Sequence, residues 1–217
     1  MRTTRRKLLS DFVYVGCALA IASEGSAGLI GSARAQAVSI EDLNNPGPLP
    51  DMILGSSDSP VTIIEYASMT CSHCAYFAIA TFPHLKTRYI DTGKVRYIFR
   101  EFPLDELAAA ASMLARSAGD GKYFDAVDIL FRQQRQWVAS HIGPLKELAI
   151  TELGFTEQSF KACLTNQELL DNIKKARTRA SQVFAVSGTP TFFINGIRSG
   201  SKSIKEMEQL IDPYLKK

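Results

Sequence analysis

Strand-forming residues occur in this chain in two blocks that lie far apart in sequence, and neither block can stand alone. The first holds Val61-Thr62-Ile63-Ile64-Glu65-Tyr66-Ala67 and then Lys94 to Phe102 (KVRYIFREF), β-branched and aromatic and ending before Pro103. The second holds Thr191-Phe192-Phe193-Ile194, the two-residue hairpin signal Asn195-Gly196, and Ile197-Arg198-Ser199. Isolated pairs of strands are at best marginally stable in water, so the second block must pair with the first. The order β-α-β, a long helical stretch, then β-β-α therefore specifies one α/β domain with an α-helical insertion.

The helical pattern can be read stretch by stretch. A run from Ser72 to about Asp91 stops at Gly93, and Pro83 inside it is expected to kink or restart the helix. Asp105 can cap Glu106 to Ala118, and Lys122 to about Trp137 places Phe124, Val127, Leu130, Phe131 and Trp137 on an apolar face. Pro144 opens a short helix ending near Gly154, and Thr156 caps another through Cys163. Asn166 caps a longer helix carrying Leu169, Leu170, Ile173, Ala176, Ala180, Val183 and Phe184. Ser203-Ile204-Lys205-Glu206 has capping-box spacing and opens the terminal helix. These stripes bear no titratable cluster and read as core. Residues 38–60, with Pro46-Gly47-Pro48-Leu49-Pro50, read as an extended lead-in. The domain is thus expected over 61–217, with its insertion at about 104–186.

Reactive chemistry concentrates where the first strand hands over to the first helix, at Cys71-Ser72-His73-Cys74. Two intervening residues suit one helical turn, so both sulfurs can share a helix end and close a small disulfide. A helix N-terminus offers unpaired N–H groups and a partial positive charge, which favour a thiolate. His73 beside the sulfurs can favour it further, by charge or by hydrogen bonding, with a surface histidine in a turn as the alternative. Glu65 interrupts an apolar strand, where an unpaired carboxylate is costly; a proton-transfer role explains its presence, with a satisfied salt bridge as the alternative.

Residues 1–37 read as an export signal. A basic head, Arg2 to Lys7, precedes the uncharged stretch Phe12 to Ser23, and small residues end in the cleavage signature Ala35-Gln36-Ala37. The uncharged stretch is too short to span a bilayer comfortably. Thr4-Arg5-Arg6-Lys7-Leu8-Leu9 also resembles a twin-arginine signal, with a general secretory signal as the alternative. Cys17 follows Gly16, but Tyr14 is a poor residue three positions before a lipidated cysteine. The leader has five Lys/Arg and two acids, whereas the remainder has 20 of each sign. The whole excess charge of +3 therefore belongs to the leader, and nothing supports a nucleic-acid footprint. Removal of the leader leaves Cys71, Cys74 and Cys163 in a compartment where disulfides persist. Cys163, in Phe160-Lys161-Ala162-Cys163-Leu164, reads as a small buried residue, with a regulatory thiol as the alternative.

Cys-x-x-Cys after the first strand, Glu65, Gly188-Thr189-Pro190-Thr191 before the third strand and the export signal together resemble the DsbA-like thiol:disulfide oxidoreductases of bacterial envelopes. The resemblance covers roughly 55–215 and implies a thioredoxin-like fold with an inserted helical domain. It implies that Cys71 is the exposed nucleophile, Cys74 the buried resolving partner and Glu65 the acid that handles the second cysteine's proton. It implies that Pro190 follows a cis peptide bond and, with Thr189, faces the disulfide across a substrate groove. It also implies a periplasmic enzyme without a cofactor, reduced unfolded exported proteins as substrates, and reoxidation by a quinone-linked membrane partner. Ser72 departs from the residue often found there and bears on the redox potential.

Three other readings compete. A disulfide isomerase or reductase on the same fold fits Thr189-Pro190, although 38–55 is too short for a dimerisation domain. A structural zinc module would need a second ligand pair, which Cys163, His84 and His141 do not form. A chaperone using the groove without redox chemistry would survive Cys71→Ser.

Overall fold

The computed structural model describes residues 38–217 except 120, 139–140, 201–202 and 217. The leader expected at 1–37, with Cys17, lies outside the described residues. Five strands form one sheet: β1 (Met52–Leu54), β2 (Val61–Ala67), β3 (Val95–Glu101), β4 (Thr191–Ile194) and β5 (Ile197–Ser199). Their spatial order is β1-β3-β2-β4-β5. The central pair β2–β3 is parallel, and every other neighbouring pair is antiparallel. The two sequence blocks therefore meet at β2–β4, where Glu65 pairs with Phe192 and Tyr66 with Thr191.

Alternation along the central strands gives the sheet two buried faces. Val61, Ile63, Tyr97, Phe99, Phe192 and Ile194 join the larger core, which the helical insertion and the helix after β2 complete. Ile64, Tyr66, Ile98 and Phe193 join a second core with Leu43, Ala180, Phe184 and Val186. Glu65 has the parity of Ile63 and so points into the larger core.

The lead-in at 38–60 is not simply extended. It holds a short helix, α1 (Ile40–Asn44), capped by the Ser39 hydroxyl, and the edge strand β1. Buried Leu43 anchors α1 in the second core. The Arg100 guanidinium fixes the segment further, donating to Asp51 Oδ1 and Oδ2 at 2.7 and 2.9 Å and to the Leu43 carbonyl at 2.7 Å. The Pro/Gly run 46–50 itself stays irregular, and the ordered elements lie on either side of it.

The helical stretch after β2, α2 over 72–90, restarts in α-helical register at Phe82–Leu85 with Pro83 in its first turn, as expected. Wider π turns at Phe77–Thr81 and Lys86–Ile90 flank it, and the Phe82 N–H reaches the Phe77 carbonyl. That register accommodates a residue that lacks its own N–H. Between β3 and β4 lie α3 (Glu106–Arg116), α4 (Tyr123–Arg132), α5 (Gln134–Trp137), α6 (Gly143–Thr151), α7 (Glu157–Leu164) and α8 (Gln167–Val183). The expected single helix to Trp137 is two helices divided at Gln133, because the Trp137 indole N–H takes the Leu130 carbonyl at 2.7 Å. That carbonyl is one of those left open at a helix end. Asp105, Thr156 and Asn166 cap α3, α7 and α8, and Ser203 with Glu206 forms the capping box of α9 (Ile204–Ile211). Asn195 and Gly196 form the β4–β5 turn with positive φ at both residues. Among the described residues no helix is long and apolar enough to cross a membrane.

Candidate active site

The C-terminal end of β2 delivers the chain to Cys71 through the short loop Ser68-Met69-Thr70. Cys71 is the N-cap of α2, with extended backbone (φ −79°, ψ 119°). Its carbonyl accepts the Ala75 N–H at 3.1 Å, and no oxygen side chain caps this helix. The sulfur takes that place, facing the main-chain N–H groups of Cys74 and His73.

The described form is the dithiol. Cys71 is half-buried, and its sulfur lies 3.3 Å from the Thr189 carbonyl. Hydrogen bonding from the Cys74 thiol, then from Thr189 and the two N–H groups, outweighs partial burial and lowers the Cys71 pKa to about 5. The Thr189 hydroxyl, buried beside the Cys71 sulfur, is the group of Thr189 that favours the thiolate, and it has no other partner. Cys74 is fully buried, and burial, donation to Cys71 and the nearby Glu65 carboxyl all push its pKa upward. The two sulfurs are thus strongly unequal: an acidic outer one and an inner one that holds its proton.

Antiparallel pairing of β4 with β2 explains how Thr189 reaches the site. With Tyr66 opposite Thr191, the residues preceding β4 run beside those following β2. The Thr189–Pro190 peptide bond is cis, and Pro190 is buried. The His73 imidazole is exposed; the group that His73 turns toward the sulfur is its main-chain N–H.

Glu65 lies under the motif, buried, and accepts a hydrogen bond from the Tyr97 hydroxyl. Burial dominates and, with the neighbouring Cys71 charge, raises its pKa to about 8 despite the Tyr97 bond. Glu65 and Tyr97 line a cavity of about 30 Å³ with Phe77, Phe82, Phe124 and Asp128. That volume has room for a water molecule.

Several supports escaped sequence reading. Asp105, the expected cap, takes Ala108 N–H at 2.7 Å with one oxygen, but its other oxygen accepts from Thr70 Oγ1 at 2.7 Å, an unforeseen tie of α3 to the residue before Cys71. Gln134 donates from its amide nitrogen to the Met69 carbonyl at 2.8 Å and the Cys71 carbonyl at 3.0 Å. Tyr97 follows from strand register: Phe99 lies opposite Glu65, so Tyr97 is two residues back on the same face. Cys163 is buried and donates to Ser117 Oγ at 3.3 Å, away from the motif. Among the described residues no group of three or more His, Cys, Asp or Glu side chains is placed to hold a metal ion.

Comparison with known proteins points the same way. The model of the Thioredoxin family matches residues 49–213. A Rickettsia bellii protein named "Putative protein-disulfide oxidoreductase" is 36% identical over 167 residues, which is 75% of this chain and 63% of that protein. The chain therefore spans less than two thirds of that relative's length. The crystal structure of Wolbachia pipientis α-DsbA1 superposes with a TM-score of 0.72 at 33% identity, covering 78% of this chain and 94% of that one. BdbD from Bacillus subtilis shares the fold at 21% identity, with a TM-score of 0.67, over 83% of this chain and 97% of its own.

Proposed function

The chain belongs to the thioredoxin family, in its DsbA-like group, and on that premise we propose that it is a protein thiol:disulfide oxidoreductase that donates its Cys71–Cys74 disulfide to folding polypeptides. The observation that carries this reading is the inequality of the two sulfurs, with Cys71 held to about 5 and Cys74 pushed upward. Stabilising the reduced form at Cys71 makes the disulfide more oxidising, by about 1.4 kcal/mol for each ~30 mV of a two-electron couple.

The reaction follows from the geometry. A client thiolate attacks Cys71 Sγ, the Cys71–Cys74 bond breaks, and the electron pair leaves on Cys74. Buried Cys74 needs a proton, which Glu65, still protonated at neutral pH, is placed to supply; the cavity beside it has room for a relaying water. A second client thiolate then attacks the client sulfur of the mixed disulfide, and Cys71 departs as a stable thiolate. The client is oxidised by two electrons and the protein reduced by two, so no cofactor enters the exchange. Cis-Pro190 and the Thr189 carbonyl beside Cys71 form the edge along which the client chain is held.

The export-signal pattern at 1–37 supports a periplasmic location, with reduced exported polypeptides as clients. A two-electron oxidant must restore the disulfide after each turnover, and we propose a membrane partner linked to quinone for that step. Incubation of the oxidised protein with a reduced two-cysteine peptide tests the activity. One peptide disulfide should form per protein consumed, and Cys71→Ser should abolish it; transfer that survives Cys71→Ser would overturn the assignment. Fractionation of cells producing the full chain or a chain lacking 1–37 tests the location, and retention of the full chain in the cytosol would refute export.

A further inference from the structure

The helical insertion reaches the redox motif through one buried polar side chain. Gln134 lies at the start of the one-turn helix α5, three residues before Trp137. Residues three apart share a helix face, so the complete burial of Trp137 also turns Gln134 inward. There its amide nitrogen spans two carbonyls, Met69 at 2.8 Å and Cys71 at 3.0 Å. The Met69 carbonyl belongs to the loop entering α2, and the Cys71 carbonyl already accepts the first helical N–H, from Ala75. Two N–H donors on one rigid planar group therefore fix the loop and the N-cap relative to each other.

We propose that Gln134 is a positioning residue for the redox site: it clamps the main chain at Met69 and Cys71 so that the start of α2 presents its N–H groups to the Cys71 sulfur. Ordinary N-caps are held by their own oxygen side chain, and this one has none. The clamp substitutes for that restraint from outside the helix. It also places the positive end of the amide dipole on two carbonyl oxygens of the segment that carries the thiolate. The acidity of the nucleophile is thereby set partly by the insertion, through a side chain that touches no client. Asp105 does not duplicate the clamp, since it holds the Thr70 side chain and leaves the Met69 and Cys71 carbonyls to Gln134.

The inference deepens the oxidoreductase reading but is tested without turnover. Gln134→Met keeps the length and loses both donors; Gln134→Asn keeps the amide but is one methylene too short to span both carbonyls. The pH dependence of Cys71 alkylation, with thiolate absorbance as a second readout, gives the Cys71 pKa in each full-length variant. Loss of the clamp should raise that pKa by about one unit, a tenfold loss of thiolate at pH values below the parent titration. A folded Gln134→Met or Gln134→Asn protein with lowered thermal stability and an unmoved Cys71 titration would overturn the proposal, because a structural role alone predicts that pattern. If Met at 134 prevents folding, the Asn variant decides by the same measurement. A shifted titration in a protein that transfers no disulfide to peptide would sink the oxidoreductase reading and leave the clamp standing.

Discussion

At the residue scale, the chemistry rests on two sulfurs and one carboxyl held away from their ordinary acidities. Cys71 is lowered from 9.0 to about 5, so between these values the unfolded reduced chain binds more protons than the folded one. Its contribution to the stability of the dithiol form is complete above pH 9.0 and is lost as pH falls through about 5. Chemical denaturation should therefore find the dithiol gaining on the disulfide form as pH rises from about 5, and a pH-independent difference would contradict this. Glu65 works in the opposite sense. Its folded pKa is raised from 4.5 to about 8, so its effect on stability is absent below 4.5 and grows more unfavourable as pH rises to about 8. Glu65→Gln should thus become progressively more stable than the parent across that window, while slowing the step that protonates Cys74. Thr189→Val removes a hydroxyl that the thiolate can use and should raise the Cys71 pKa by about half a unit to one unit in alkylation titrations. Most of this site was legible in the sequence: Cys71 and Cys74 from spacing, Glu65 from its break in an apolar strand. Gln134 was nearly so, being the polar residue on the apolar face that runs from Val127 through Leu130 to Trp137. What was missing was the rotation that turns that face toward Cys71.

At the element scale, caps and register align the site. The strands were legible because β-branched and aromatic runs ended at turn residues, and the α3, α7, α8 and α9 starts because Asp105, Thr156, Asn166 and Ser203 cap them. The lead-in was misread because α1 and β1 owe their form to Leu43 and Arg100, contacts that no local pattern contains. The π turns around Pro83 were equally hidden, since only the packed helix shows which way it absorbs a proline. Asp105 serves both α3 and the loop before Cys71, so Asp105→Ala should cost about 1–2 kcal/mol in urea unfolding, the N-cap value with a second hydrogen bond lost. A change within about 0.3 kcal/mol would show the cap to be dispensable.

At the scale of the whole described domain, the insertion contributes to both cores of the sheet. The sheet face that carries Glu65 is covered jointly by α2 and the helices between β3 and β4. Arg116 on α3 closes a buried, bidentate ion pair with Glu101 at the end of β3, to which Tyr123 also donates. Removing one partner of such a pair leaves a buried charge, so Arg116→Met should destabilise the fold by about 3–5 kcal/mol. The insertion thus supplies cover for the acid and a clamp for the nucleophile, and the strand blocks supply the edge at Thr189–Pro190. The central claim is that this arrangement favours the reduced form strongly enough to make the protein a disulfide donor. The reduction potential of the Cys71–Cys74 couple, equilibrated against glutathione, tests it most directly. It should lie well above the about −270 mV of a reducing thioredoxin and toward the about −120 mV of a strong oxidant. A value at or below about −270 mV would contradict it.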